Sequence, residues 1–305
     1  MLSVQGLAWR SDFMNAIRTF FRAHNYLEVD TPLRLPTLLP ESQLIPFPSA
    51  DWWLQTSPEL CMKRLLARGC SHIFQICHCF RQEERGRLHS NEFTMLEWYR
   101  APGCYTDLMI DCEELLLFLA ETLAHLPGLC KEHILSWQGH TVNLNPPWKR
   151  MSVNEAFRHY AKISAEEALA RHCFDEVLVT EIEPHLGFER PLFLYDYPLK
   201  LGSLARKSVT NPNVAERFEL YIAGIELANG FSELNDPLEQ RKRFLHEIAQ
   251  INSAGRESLM PELFLEDLTQ MPPCAGIALG IDRLFMLSTE KKNIAEAVTF
   301  PISAL

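Results

Sequence analysis

The sequence lacks the signatures of the common phosphate-binding loops and hydrolytic sites. Its 305 residues contain neither a GxxxxGK(S/T) loop nor a GxGxxG turn, so any nucleotide must be bound by another architecture. No GxSxG segment is present, and His246-Glu247 is not followed by the second histidine of an HExxH zinc site. These absences argue against P-loop ATPases, dinucleotide-binding dehydrogenases, GxSxG hydrolases and HExxH metalloproteases.

Signals for a membrane or an oxidising compartment are also missing. No apolar run reaches the ~18 residues that a membrane-spanning helix requires, and Met1 to Arg10 does not read as a secretory signal. The nine cysteines include no CxxC pair, and their odd number favours free thiols. In Cys77-His78-Cys79 both sulfurs would lie on one face of a strand, where we expect core packing rather than zinc. We therefore predict a cytoplasmic protein without a membrane partner.

The balance of charge is acidic and the composition is that of a globular protein. Lys and Arg number 29 against 39 Asp and Glu, giving a net charge of −10, and 47% of the residues are hydrophobic. An acidic balance weakens any case for extensive binding to a nucleic-acid backbone. Because no repeat or Ser/Gly-rich linker occurs, we predict one domain over residues 1–305, with a helical insertion at about residues 104–190.

The N-terminal segment predicts a helix followed by a short strand. Large apolar residues recur at helical spacing from Trp9 to Phe21, and Ser11 or Asp12 is placed to cap the helix. The segment Tyr26–Asp30 then reads as a short strand before the turn at Thr31-Pro32.

Polar residues gather first in a predicted hairpin formed by strands at Ile73–Glu83 and Glu92–Tyr99. Alternation places two residues of the first strand on one face and three of the second on one face: Arg81 and Glu83, then Phe93, Glu97 and Tyr99. An arginine, carboxylates and an aromatic face suit a triphosphate and a purine. Composition alone would fit a solvated, salt-bridged hairpin equally well.

A second hairpin is predicted around Ala223-Gly224. A two-residue turn there would pair Tyr221 with Glu226 and make Glu219 the diagonal neighbour of Glu226, about 7–8 Å away on the same face. Two carboxylates held in this way can share a hard cation that also binds phosphate oxygens. Without a cation they would repel each other, and the face would have to be wet.

The third polar segment is Gly276–Leu284, a glycine-rich apolar strand that enters a helix with Arg283 in its first turn. Glycine in a strand lets a ligand approach the backbone closely. Each of the three segments is weak evidence alone.

Together, and in this order, the segments resemble the catalytic core of the class II aminoacyl-tRNA synthetases. The segment Phe20–Pro32, which ends in Glu28-Val29-Asp30-Thr31-Pro32, resembles motif 1, the first hairpin resembles motif 2, and Gly280–Arg283 resembles motif 3. The segments Glu92–Tyr99 and Glu226–Asn235 are most similar to the lysyl-tRNA synthetase subclass. The resemblance implies an α+β fold with a mixed, mainly antiparallel sheet flanked by helices. It also implies a homodimer, to which Phe20, Phe21 and Tyr26 would contribute apolar area.

Two features distinguish the chain from lysyl-tRNA synthetases themselves. Motif 1 begins close to Met1, which leaves no room for an N-terminal anticodon-binding domain, and Ala278 stands where those enzymes usually carry glycine. The chain looks like the lysyl-tRNA synthetase paralogues that attach β-lysine to a lysine of elongation factor P. That resemblance implies an ATP-dependent ligase that forms an adenylate of β-lysine or lysine, with Mg²⁺, and does not use tRNA. The alternatives are a free-standing tRNA-charging enzyme, an inactive regulatory paralogue and an asparagine synthetase-like ammonia ligase.

The resemblance also implies roles for individual residues. Arg81 would be catalytic at the α-phosphate, and Arg283 would be catalytic over the adenine or at the γ-phosphate. The remaining ATP-binding residues would be Gln82, Glu83, His89, Ser90, Phe93, Glu226, Leu227 and Gly280. The amino-acid pocket would consist of Ser57, Pro58, Glu59, Tyr99, Asn229, Phe231, Glu233 and Ala278.

The resemblance implies two roles for carboxylates, which are binding of the substrate's ammonium groups and binding of Mg²⁺. Glu59 and Glu233 would each neutralise one ammonium group of the substrate, and Glu219 and Glu226 would hold Mg²⁺. One departure from the family concerns the loop of the first hairpin, where Ser90-Asn91 replaces the usual Asn-Pro.

Overall fold

The structure is a computed structural model that describes residues 1–304. The helices are α1 (Val4–Ala23), α2 (Glu59–Ala67), α3 (Tyr105–Thr122), α4 (Val153–Tyr160), α5 (Ala165–Ala170), α6 (Phe174–Val177), α7 (Pro237–Ser253), α8 (Glu262–Leu268) and α9 (Ile281–Ser288). The strands are β1 (Leu27–Glu28), β2 (Arg34–Leu35), β3 (Pro48–Ser49), β4 (Trp52–Leu54), β5 (His72–Phe80), β6 (Glu92–Arg100), β7 (Leu129–Cys130), β8 (Ile134–Trp137), β9 (His140–Asn143), β10 (Lys149–Ser152), β11 (Leu192–Pro198), β12 (Val214–Ile222), β13 (Ile225–Ser232) and β14 (Ala275–Gly280).

Eight of the strands form one large sheet, in the order β1-β5-β6-β14-β13-β12-β11-β10. The pairs at the two edges, β1 with β5 and β10 with β11, are parallel, and every pair between them is antiparallel. Helices α1, α3 and α9 supply much of the apolar core against this sheet. The predicted α+β fold with a mixed, mainly antiparallel sheet is confirmed.

Helix α1 begins earlier than the sequence analysis predicted. Ser3 is its cap, because the Oγ atom accepts a hydrogen bond from the backbone N–H of Gly6 at 3.1 Å. The predicted caps at Ser11 and Asp12 are wrong, since both residues lie inside the helix.

Three aromatic residues that were expected to supply dimer area are buried within the chain. Phe20, Phe21 and Tyr26 are 3%, 0% and 7% exposed and belong to the main core. The predicted contribution of these three residues to a dimer interface is wrong, because their side chains pack inside one chain.

The segment at residues 104–190 contains more than helices. Its first helix, α3, packs on the large sheet, and β7, β8 and β9 form a small antiparallel sheet. Strand β10 joins the edge of the large sheet. The short helices α4 to α6 close a second apolar cluster against β11.

The first hairpin is shorter than predicted, because β5 ends at Phe80. Arg81 therefore begins the loop, and Glu83 lies exposed within it, so their predicted alternation along one strand face is wrong. Asn91 shapes this loop: its Nδ2 atom donates to the Arg81 carbonyl at 2.9 Å, and its own carbonyl accepts from the Arg81 N–H at 2.8 Å. Asn91, whose side chain hydrogen-bonds to the loop backbone, thus occupies the position at which the family usually has proline.

The second hairpin has the predicted turn but a different register beyond it. Ala223 and Gly224 both have positive φ (52° and 74°), and Tyr221 pairs with Glu226 as expected. The register then shifts at Leu227, where β13 carries one extra residue. Glu219 consequently faces Asn229, so the predicted regular diagonal placement beside Glu226 is wrong, although Glu219 still shares a strand face with Tyr221, the partner of Glu226.

No helix in residues 1–304 is both long enough and apolar enough to span a membrane.

Candidate active site

A cavity lies where β6, β13 and β14 meet the loop of the first hairpin and the start of α9. Its walls contain most of the predicted site residues: Ser57, Glu59, Arg81, His89, Ser90, Phe93, Tyr99, Glu226, Leu227, Asn229, Phe231, Ala278, Gly280 and Arg283. Five predicted residues do not line it: Pro58, Gln82, Glu83, Glu219 and Glu233. The three sequence segments thus converge on one place.

Arg81 lies over an aromatic ring in the cavity wall. Its guanidinium carbon is 5.1 Å from the centre of the Phe93 ring, and Nη1 donates to Oε1 of Glu84 at 2.8 Å. Glu83 was expected at this site, but Glu84 is the carboxylate that lines the cavity. The end of β5 at Phe80 explains this shift of one residue.

Arg283 is held by the hairpin loop and by β13. Nη1 donates to the carbonyl oxygen of Glu226 at 2.8 Å, and Nη2 contacts Nε2 of His89 at 2.6 Å. Burial and the charge of Arg283 lower the pKa of His89, so its neutral ring accepts this hydrogen bond. The arginine therefore joins motif 3 to motif 2 at the cavity.

A buried carboxylate fixes the start of α9. Asp282 is 3% exposed, and its Oδ2 accepts the backbone N–H of Thr94 at 2.7 Å. Its Oδ1 accepts from Nη2 of Arg10 at 2.5 Å. These bonds tie α9 to β6 and α1, and thereby set the position of the neighbouring Arg283.

The two acids that were expected to hold Mg²⁺ lie near each other, at different depths. Glu226 lines the cavity, whereas Glu219 is 6% exposed and accepts from Tyr197, Tyr221 and Arg217 at 2.5–2.7 Å. Burial, and then the charge of Glu219, raise the pKa of Glu226. Two negative charges that lie close together favour a cation between or beside them. Within residues 1–304 no group of three or more histidine, cysteine or acidic residues forms a ready-made metal site.

Several further carboxylates line the cavity. Glu97 is 3% exposed; its Oε1 accepts from the Tyr99 hydroxyl at 3.0 Å, and its Oε2 has no partner. Burial, and then the charge of Glu59, raise the pKa of Glu97 well above its usual range. The same two causes raise the pKa of Glu41 to about 7. Neither Glu41 nor Glu97 was assigned to the pocket from the sequence.

A lysine lies behind these carboxylates. The Nζ atom of Lys63 is 2.5 Å from Oε1 of Glu59 and also forms an ion pair with Glu233. Burial raises the pKa of Glu233 to about 8 despite the opposing pull of Lys63. The sequence analysis missed Lys63, although its spacing four residues after Glu59 was visible; that spacing is common on solvated helix faces.

The comparison with protein families gives a match over almost the whole chain. Residues 3–304 match the model for class II tRNA synthetases of the D, K and N group. The chain belongs to this family.

The curated relatives of this class II chain include proteins of one name. An elongation factor P–(R)-β-lysine ligase of Salmonella gallinarum is 36% identical over 315 residues, covering 98% of this chain and 96% of the relative. Proteins of the same name from Hamiltonella defensa and Buchnera aphidicola are 36% and 37% identical, each covering 98% of this chain. The match to these relatives runs nearly end to end.

Motif 3 of this class II core brings the backbone unusually close to Tyr99 and Glu233. A Cβ atom at Gly276 would collide with the Tyr99 ring and with Oε1 of Glu233, so only glycine fits there. Two residues further along, Ala278 lines the cavity and packs against the cluster formed by Cys77, Cys79 and Met95. The predicted core packing of the two cysteines is confirmed.

Proposed function

We propose that this chain is an ATP-dependent ligase that activates a lysine-type amino acid, preferably (R)-β-lysine, and transfers it to a lysine of elongation factor P. The relatives bearing that name support the choice of substrate and partner. The observation that carries the proposal is that one cavity combines two kinds of charged side chain. Arg81 and Arg283 line it, and so do the carboxylates Glu41, Glu59 and Glu97.

The first step would join the amino acid to AMP. The substrate carboxylate attacks the α-phosphorus of ATP, a P–O bond forms, and the bond to pyrophosphate breaks. Arg81 would stabilise the negative charge that develops on the α-phosphate, and Arg283 that on the outer phosphates. Phe93, beside Arg81, offers its ring to the adenine. Most of the rate enhancement would come from holding the two reactants in line.

Mg²⁺ is expected to accompany ATP. Glu226 would contact the ion from the cavity wall, with Glu219 behind it adding negative charge. The chemistry supplied by the bound ion would be neutralisation of the outer phosphates and of pyrophosphate as it leaves.

The second step would transfer the aminoacyl group. The ε-amine of the acceptor lysine attacks the acyl carbon, an amide bond forms, and AMP leaves with the electrons of the acyl–phosphate bond. The attacking nitrogen loses a proton in the process. Because AMP is a good leaving group, positioning of the incoming amine is the main requirement of this step.

Recognition of the amino acid would take place at the carboxylates. An ammonium group that enters a buried site unpaired costs several kcal/mol, and an opposing carboxylate offsets that cost. Glu59 and Glu97, which line the cavity where Glu233 does not, would meet one amino group each, and Tyr99, Asn229 and Phe231 would form the neighbouring wall. We further expect a cytoplasmic homodimer that does not act on tRNA.

The test is to supply ATP and labelled (R)-β-lysine or α-lysine to the purified chain, together with either elongation factor P or lysine tRNA. We expect ATP–pyrophosphate exchange with both amino acids, faster with β-lysine, and label on elongation factor P alone. Label on tRNA but not on the protein would favour the free-standing synthetase. The absence of any exchange would favour the inactive paralogue.

A further inference from the structure

A buried cation, Lys63, lies directly behind the acidic wall of the cavity. It is 1% exposed and follows Glu59 by one turn of α2, with Nζ 2.5 Å from Oε1 of that residue. The same atom pairs with Oε2 of Glu233, directly after β13, and lies 5.1 Å from the centre of the Phe231 ring. Lys63 therefore connects helix α2 to the central sheet through two carboxylates and an aromatic face.

Packing alone does not account for an ammonium group in this position. Removing a charged amine from water costs several kcal/mol, and an apolar side chain of similar size fills such space without that cost. Burial by itself lowers the pKa of Lys63, but Glu233 and Glu59 together more than reverse this effect and raise it. The ammonium group of Lys63 thus remains charged while it contacts both Glu59 and Glu233.

The two acids differ in their access to the cavity. Glu59 lines the cavity, whereas the side chain of Glu233 is completely buried and pairs with Lys63. The contact with the Lys63 ammonium group holds one oxygen of the Glu59 carboxylate in place. The direction of that carboxylate therefore depends on Lys63.

We propose that Lys63 is a positioning residue for amino-acid recognition, which orients the Glu59 carboxylate toward the substrate. Lys63 engages Oε1 of Glu59, and the other oxygen of that carboxylate remains for one ammonium group of the substrate. Lys63 does not touch the substrate in this scheme and acts through Glu59. The proposal rests on the proposed function, because it requires a substrate that carries an ammonium group.

The test replaces the cation with Lys63→Met and, as a second uncharged variant, Lys63→Gln. ATP–pyrophosphate exchange with (R)-β-lysine is measured from pH 6 to pH 9, with folding checked by thermal unfolding. We expect KM for the amino acid to rise at least tenfold and KM for ATP to change less than twofold. The acid limb of kcat/KM for the amino acid should move upward, because loss of Lys63 removes the positive charge that lowers the pKa of Glu233.

Two comparisons separate this role from a purely structural one. Lys63→Arg keeps the charge and should return the acid limb toward its wild-type position. The matched control is Arg64→Met on the same helix, which removes one positive charge from a pair with Asp267 on α8 and should leave the profile unchanged.

Several outcomes would overturn the proposal. An acid limb that stays in place in both uncharged variants would do so, as would a parallel rise in KM for ATP or the same shift in Arg64→Met. Failure of the wild-type chain to exchange with any lysine isomer would instead refute the proposed function, and the role of Lys63 with it.

Discussion

At the scale of single residues, Ala278 is a candidate for choosing between lysine isomers. Its methyl group lines the cavity, on the strand position opposite Asn229 and Glu97. In β-lysine the amino group nearest the carboxylate lies one carbon further away, so the methyl group should obstruct α-lysine more. We expect Ala278→Gly to improve α-lysine activation relative to β-lysine by a factor equivalent to about 1–3 kcal/mol. Pyrophosphate exchange with each isomer measures this ratio; an unchanged ratio would leave Ala278 as a filler of core space.

Glu41 provides a second residue-scale prediction, which concerns pH. Burial and Glu59 raise its pKa to about 7, so the folded chain binds this proton more tightly than the unfolded chain does. Its contribution to the free energy of unfolding therefore falls as pH rises from about 4.5 to 7. Glu41→Gln should remove that slope and make the variant more stable than wild type at pH 8, by at most about 3 kcal/mol. Denaturant unfolding at pH 5 and pH 8 tests this, and equal slopes for the two proteins would contradict it.

Several of the predicted residues that line the cavity lie on regular strands. Phe93 and Tyr99, for example, follow from alternation along β6. Glu84 was missed because the end of a strand sets the phase of the loop after it, and a sequence does not fix that end to one residue. Lys63 was missed because its importance comes from Glu233, which lies 170 positions away in the chain and meets it only in the fold.

At the scale of elements, the β12–β13 hairpin carries the expected cation site. Its acids already crowd each other, since burial and then Glu219 raise the pKa of Glu226. Glu226→Gln removes the cavity-facing charge while keeping the shape, so adenylate formation should fall by at least tenfold with little change in melting temperature. Exchange assays over a range of Mg²⁺ concentrations measure this, and wild-type activity in the variant would exclude Glu226 as a ligand.

Element types were predictable along most of the chain, whereas their ends were less so. The hydrophobic spacing predicted α1 but not its first residue. The helix starts after the cap at Ser3, whereas the sequence predicted a cap at Ser11 or Asp12. The turn at Ala223-Gly224 followed from its composition and length. The bulge at Leu227 did not, because nothing in the local sequence distinguishes a paired residue from an extra one.

At the scale of the whole molecule, the family motifs predicted the sheet and its flanking helices, and the structure confirms them. The expected dimer still lacks an assigned surface, since Phe20, Phe21 and Tyr26 are buried in the core. Apolar side chains remain exposed in and beside motif 1 and on the three-stranded sheet formed by β2, β4 and β3, at Leu27 (59%), Leu33 (42%) and Trp52 (39%). These residues are the better candidates for contacts between subunits.

We expect a sedimentation mass near twice the 35.1 kDa of one chain at micromolar concentration. Leu27→Asp combined with Leu33→Asp should weaken association by placing two unpaired charges in the contact. A matched change at Leu245, an exposed leucine on α7, should leave the mass unaffected. A single-chain mass for the wild-type protein would contradict the homodimer.

The extra residue at Leu227 decides which side chains of β13 face the cavity. In a regular strand, residues an odd number apart point to opposite faces, so Glu226 and Asn229 would not both reach one cavity. The bulge changes the phase of the strand, and Glu226 and Asn229 both line the cavity. In the proposed function, three peptide units of one strand would separate the residue expected near the phosphates from the residue expected near the amino acid. A single-residue deletion at this point would act as a change of phase, turning one half of the site away from the other.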